Sequence, residues 1–73
     1  MVNINLTNDQ ALVLFEFLKR LYYNEYEGLF EDKSEEFVLW QIEAILDKQM
    51  IEPFKKNYKE LLLTARNSIK EKF

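Results

Sequence analysis

The chain has 73 residues, with 13 acidic and 10 basic side chains, no cysteine, no histidine, one glycine and one proline. Without cysteine and histidine it lacks the ligands of structural and most catalytic zinc sites, and it has neither a thiol nucleophile nor an imidazole base. Gly28 alone cannot form a Walker or Rossmann phosphate loop, because each requires at least two glycines near the phosphates. We therefore predict no catalytic residues, no metal and no cofactor, and we do not expect an enzyme.

Hydrophobic residues make up 48% of the chain and aromatic residues 15%, which is too rich for a disordered protein. A chain this short, without a disulfide or metal, must pack densely or rely on a partner. Its longest uninterrupted apolar run, residues 11–15, is far shorter than the roughly 20 residues that span a bilayer. No basic segment followed by a long apolar stretch opens the chain. We expect a soluble, unexported, cytoplasmic protein that does not bind membranes.

The first predicted element is an extended arm over residues 1–6, because Val2, Ile4 and Leu6 alternate with asparagines. Thr7 lies three residues before Gln10, which is the spacing of a capping box. Apolar residues then follow at helical intervals and predict a first helix over about residues 8–23. Its main apolar stripe consists of Ala11, Leu14, Phe15, Leu18, Leu21 and Tyr22.

Residues 24–33 interrupt the helical period and are predicted to form a connecting loop. A second helix over about residues 34–50 can be capped by Asp32 or by Ser34. Its main apolar stripe consists of Val38, Leu39, Ile42, Ile45 and Leu46.

Pro53 disfavours helix at the preceding residue, so the chain is predicted to turn there. Asn57 and Glu60 have capping-box spacing and open a third predicted helix over about residues 57–72. Three helices with short connections predict an all-α fold, a small three-helix bundle with a short extended N-terminal arm. We treat residues 1–73 as one helical domain.

The second helix carries a further apolar face, opposite its main stripe, made of Phe37, Trp40 and Ala44. One interpretation is that other residues of the same chain pack against this face and cover it. The other is a partner-binding surface, because aromatic residues carry much of the energy of protein interfaces. Glu35 and Glu36 would then guide the partner electrostatically. The candidate covering residues are Val2 and Ile4 of the arm, and Tyr23, Tyr26, Leu29 and Phe30 of the loop.

The first helix also carries apolar residues outside its main stripe, Val13 and Phe17 on one side and Leu12 on the other. Central helices of bundles often look apolar nearly all round, so this helix is expected to lie between the other two. The alternative is self-association through Val13 and Phe17.

The third helix carries basic residues along one line, within about 40° around its axis and interrupted by Leu63: Lys55, Lys59, Arg66 and Lys70. They define the alternative function, a nucleic-acid-binding regulator. A solvated helix face is the favoured interpretation, since this line has one arginine and no glycine-bearing turn precedes it. The net charge of −3 also disfavours nucleic acid.

Charge is uneven along the chain. Residues 9–36 hold eight acids and three bases, whereas residues 37–73 hold five acids and seven bases. An acidic N-terminal half and a basic C-terminal half can attract a cationic partner or pair head to tail with another copy. Equally, acids cluster at helix starts because the helix dipole favours them there.

A pattern of residues over nearly the whole chain is similar to that of a class of short bacterial helical proteins. The resemblance implies a bacterial or phage cytosolic origin and gives weight to Trp40 and to the turn at residues 52–54, but it carries no function. In that turn we expect Phe54 to cap the bottom of the core. The matching positions are Leu6-Thr7, residues 11–18, Val38-Leu39-Trp40, Glu43-Ala44, Leu46, Glu52-Pro53-Phe54, Tyr58, Leu61-Leu62 and Ala65-Arg66.

Taken together, these features predict a small non-catalytic protein–protein interaction module, acting as an accessory subunit, an inhibitor or an immunity-type factor. Its expected partner is another protein. A homodimer through the Trp40 face or the first helix is compatible with that function.

Overall fold

The structure is a computed structural model that describes residues 1–24 and 28–72. Over these residues the chain forms three α-helices, one short 3₁₀ helix and no β-strand. The predicted all-α bundle is therefore confirmed, and each helix begins and ends within one residue of its predicted bounds. The helices are α1 (Asn8–Tyr23), α2 (Lys33–Gln49) and α3 (Tyr58–Lys72), and the 3₁₀ helix spans Glu52–Phe54. Tyr26, one of the residues proposed to cover the Trp40 face, lies outside the described residues.

Local side-chain caps explain where α1 and α2 begin. The Oγ1 of Thr7 accepts from the Gln10 amide at 3.1 Å, and the Gln10 side chain accepts from the Thr7 amide at 2.9 Å, which confirms the predicted capping box. Asp32, rather than Ser34, caps α2, because its carboxylate accepts from the Ser34 amide at 2.8 Å. Hydrogen bonds from Ser34 hold the pKa of Asp32 below its ordinary value.

The connection between α2 and α3 is built from backbone hydrogen bonds around Pro53. The Met50 amide closes α2 by donating to the Leu46 carbonyl at 3.0 Å. Pro53 then lies in the 3₁₀ helix, near a helix start, where the missing amide hydrogen costs little. The Leu61 amide donates to the Asn57 carbonyl at 3.0 Å in the first turn of α3.

The first helix lies between the other two. It packs against both α2 and α3, whereas α2 and α3 barely contact each other. Leu12, which the sequence placed beside the main stripe, is only 2% exposed, because neighbours on two sides widen the buried face of α1. The core consists of Leu12, Phe15, Leu18, Leu46, Met50, Leu62 and Ala65.

Packing against α1 alone gives α2 a narrower buried face than its apolar pattern suggests. Leu46 is buried and Leu39 and Ile42 pack against the core, but Val38 and Ile45 are exposed. The predicted five-residue stripe of α2 is therefore only partly buried.

Two aromatic residues expected in or under the core are also exposed. Tyr22 lies in the last turn of α1 and is 55% exposed, so it does not belong to the buried stripe. Phe54 is 78% exposed, and the expectation that it caps the core is wrong. Met50, which is 5% exposed, joins the core cluster instead.

Two side-chain hydrogen bonds join α1 to the C-terminal half of the chain. The Tyr58 hydroxyl donates to the Glu16 carboxylate at 2.5 Å, and the Asn8 amide donates to the Glu52 carboxylate at 3.0 Å. The hydrogen bond from Asn8 is the main reason why the pKa of Glu52 lies below its ordinary value.

Candidate protein-interaction surface

Four aromatic side chains form an exposed cluster where the end of α1 meets α2. The Trp40 ring contacts Tyr22 edge-on and Phe37 at a tilt, each with a centroid separation of 5.7 Å. Tyr22 in turn contacts Tyr23 edge-on at 5.2 Å. Exposure ranges from 40% for Trp40 to 74% for Tyr23. We call Tyr22, Tyr23, Phe37 and Trp40 the aromatic cluster.

The arm does not cover this cluster, because Val2 and Ile4 are themselves 88% and 78% exposed. The α1 residue that contacts Trp40 is Tyr22, which the sequence assigned to the main apolar stripe of the first helix. One signal pointed to it: Tyr22 and Tyr23 are in the last turn of α1, where a helix commonly runs past the core. Of the described residues proposed as cover, Tyr23 belongs to the aromatic cluster, where it contacts Tyr22.

A cleft of about 370 Å³ opens beside Trp40, between α1, α2 and the 3₁₀ helix. Phe15, which is buried in the core, forms its floor. Of the predicted partner-binding residues, Trp40 and Ala44 line this cleft, and Phe37 adjoins it through its ring contact with Trp40. The remaining lining residues are Lys19, Tyr23, Glu43, Asp47, Pro53 and Phe54. We call this feature the Trp40 cleft.

The carboxylates at the Trp40 cleft are Glu43 and Asp47, one helical turn apart on α2. Of the two acids predicted from the sequence, Glu35 lines a different groove and its carboxylate accepts from the Glu31 amide at 3.2 Å. Glu36 is half-buried, one turn before Trp40. The sequence missed Glu43 and Asp47 because the packing direction of α2 decides which of its acids border the cleft.

A second groove, of about 540 Å³, lies between α1, α2 and the residues that precede α2. Phe17 lines it and is exposed, with the Arg20 guanidinium 5.6 Å from the centre of its ring. Val13, its proposed partner in self-association, packs against the core instead. The other lining residues are Leu21, Leu29, Phe30, Ser34, Glu35, Val38 and Leu39.

The basic face of α3 contains three of the four predicted residues, Lys59, Arg66 and Lys70. Lys55 lies before α3, in extended backbone after the 3₁₀ helix, and is not part of the helical face. Leu63 lies on the same side of α3 and is 57% exposed. Lys59 and Lys70 are exposed as well, whereas Arg66 is half-buried.

Comparisons with protein families, with curated proteins and with solved structures found no match for this chain. In the part of the chain that the structure describes, no group of three or more acidic side chains is placed to hold a metal ion. Nor does any helix within residues 1–24 and 28–72 combine the length and apolarity needed to cross a membrane.

Proposed function

We propose that this chain is a small non-catalytic interaction module that binds a partner protein at the Trp40 cleft and the adjoining aromatic cluster. The observation that carries the proposal is the cluster itself, four contacting aromatic rings that are each at least 40% exposed. Contiguous apolar patches on small proteins commonly mark interaction sites. Tryptophan and tyrosine are also enriched among the residues that dominate binding energy.

The cleft suits an apolar anchor from the partner. Phe15 provides an apolar floor, and Trp40 and Phe54 stand at its sides. The edge-on contact with Tyr22 and the tilted contact with Phe37 restrain the Trp40 ring before binding, which lowers the entropy lost on association.

Charged residues at the rim would set the orientation of the partner. Lys19 lies on the α1 side of the cleft, and Glu43 and Asp47 lie on the α2 side. Charges at a rim contribute more to association rate and register than to affinity. A module of this kind acts by covering a surface of its partner, as an accessory subunit, inhibitor or immunity-type factor does.

The decisive substitution is Trp40→Ala. We expect it to weaken partner binding by about 2 kcal/mol or more, roughly 30-fold in Kd, because it removes the centre of the cluster. The helical circular dichroism signal should be retained, since Trp40 is not part of the buried core. Ile45→Ala is the matched control: Ile45 is also an exposed apolar residue of α2 but does not line the cleft. It should leave binding unchanged.

The experiment is a tagged pull-down from a nuclease-treated lysate of the source organism, run with wild type, Trp40→Ala and Ile45→Ala. Captured proteins are identified by mass spectrometry, and the purified partner is then titrated against all three chains. A stoichiometric protein lost only with Trp40→Ala supports the proposal. Equal loss with Ile45→Ala contradicts it, as does unfolding of Trp40→Ala. Recovery of the bait alone contradicts it when the purified chain also stays monomeric at all concentrations.

A further inference from the structure

Two surfaces of this chain are complementary in charge. The α2 side of the Trp40 cleft carries Glu43 and Asp47 beside an apolar depression. The outer face of α3 carries Lys59, Arg66 and Lys70 around one exposed apolar side chain, Leu63. The cleft is open between α1, α2 and the 3₁₀ helix, and Lys59, Leu63 and Lys70 of the α3 face are exposed.

We propose that the Trp40 cleft binds the α3 face of a second copy of this chain, and that the second copy's cleft binds the first chain's α3 in return. The inference rests on the proposed function, since it names the occupant of the same cleft. Leu63 would enter above Phe15, while Lys59 and Lys70 would lie along the α2 side of the cleft.

The spacing of the α3 residues fits this arrangement. Lys59, Leu63, Arg66 and Lys70 follow one another at helical intervals and form a single line on one face. When a helix binds in an apolar groove, its apolar side chains enter the groove; here Leu63 would be the anchor, and the basic residues beside it would face the acids of α2. The acids of the cleft, Glu43 and Asp47, are one turn apart on α2 and carry the opposite charge. Lys19 borders the cleft from the α1 side, so the acidic line belongs to α2.

Reciprocal contact also satisfies the symmetry of a closed dimer. In a two-fold dimer the same pair of surfaces meets twice, so cleft and α3 face are each used once per chain. Contact in one direction only would instead assemble the chain head to tail into rings or open polymers.

The test is an exchange of charge between the two surfaces. Glu43→Lys with Asp47→Lys makes the cleft basic, and Lys59→Glu with Lys70→Glu makes the α3 face acidic. Each double variant alone should form dimers at least about tenfold more weakly than wild type, because like charges then oppose each other at both contacts. An equimolar mixture of the two should dimerise again, since every contact in the mixed dimer pairs opposite charges. Masses are measured by sedimentation equilibrium over a concentration series.

A matched control is Glu60→Lys with Glu71→Lys, which changes the net charge by the same amount as the cleft variant. Both residues are exposed and lie on a different side of α3 from Lys59 and Lys70. This control should leave the dimer unchanged. Circular dichroism of every variant confirms that the helices are intact.

The outcomes separate this inference from the proposed function. A wild type that stays monomeric at all concentrations overturns the inference, as does a dimer that survives both charge reversals. Trp40-dependent capture of a different protein would in that case still support the proposed function. Restoration of the dimer in the mixture supports the inference, even if the pull-down recovers only the bait.

Discussion

At the scale of single residues, the contact between Tyr58 and Glu16 is the most informative interaction. Tyr58 begins α3 and Glu16 lies in the middle of α1, so their hydrogen bond holds the two helices in register. Both side chains are half-buried. A carboxylate in such a position loses part of its hydration, and the phenol hydroxyl replaces a water.

We predict that Tyr58→Phe lowers the free energy of unfolding by about 1–2 kcal/mol, because it leaves the Glu16 carboxylate without this donor. Urea denaturation monitored by circular dichroism gives the value. Tyr23→Phe serves as the control, since Tyr23 is largely exposed and should tolerate the change. A Tyr58→Phe chain as stable as wild type would contradict the structural importance of this bond.

The same contact produces a pH dependence. Burial, and then the hydrogen bond to Glu16, raise the pKa of Tyr58 above its ordinary value of 10.0. The folded state therefore holds the phenol proton more tightly than the unfolded state does. This contribution to stability is complete below about pH 10 and is lost as the pH rises further. The stability difference between wild type and Tyr58→Phe should accordingly shrink above pH 10.

At the scale of the elements, short-range chemistry decides where each helix begins and ends. The Thr7 capping box is formed within three residues of sequence, so it could be predicted from spacing alone. For α2, spacing left Asp32 and Ser34 open, and the structure shows that Asp32 is the cap. Gly28 has a different role in the connection before α2. Its φ of 78° lies in the left-handed region, which disfavours every residue with a Cβ atom.

We predict that Gly28→Ala destabilises the fold by about 1 kcal/mol through backbone strain alone, because a Cβ atom at this position meets no other atom within 4 Å. Gly28→Asn should cost less, since asparagine tolerates left-handed backbone better than alanine does. Thermal unfolding of the two variants provides the comparison. An equal cost for both would point to a cause other than the backbone conformation.

At the scale of the whole molecule, the central position of α1 determines which apolar residues are buried. Two neighbours cover α1 on two sides, while α2 and α3 are each covered mainly by α1. The outer helices therefore keep exposed apolar side chains, and those near the end of α1 form the aromatic cluster. The central position of α1 therefore accounts both for the exposed apolar side chains of the outer helices and for the proposed interaction site.

The core assignment is tested by comparing Met50→Ala with Phe54→Ala. Met50 is buried in the core cluster, so its truncation should cost about 2–5 kcal/mol. Phe54 is exposed, so its truncation should change stability by no more than about 0.5 kcal/mol. Chemical denaturation measures both. A larger loss of stability for Phe54→Ala would show that Phe54 packs in the core, as the sequence predicted.

The amino-acid sequence by itself determined the helical fold, the number of helices and their bounds, because periodicity and capping act over a few neighbouring residues. It also identified Trp40 and Ala44, which line the cleft, and Phe37, which adjoins it. Only the tertiary structure decided that Tyr22 joins them, that Phe54 is exposed, and that Glu43 and Asp47 are the acids of the cleft. These properties depend on the direction in which α2 packs on α1, and that direction arises from contacts between residues far apart in the chain.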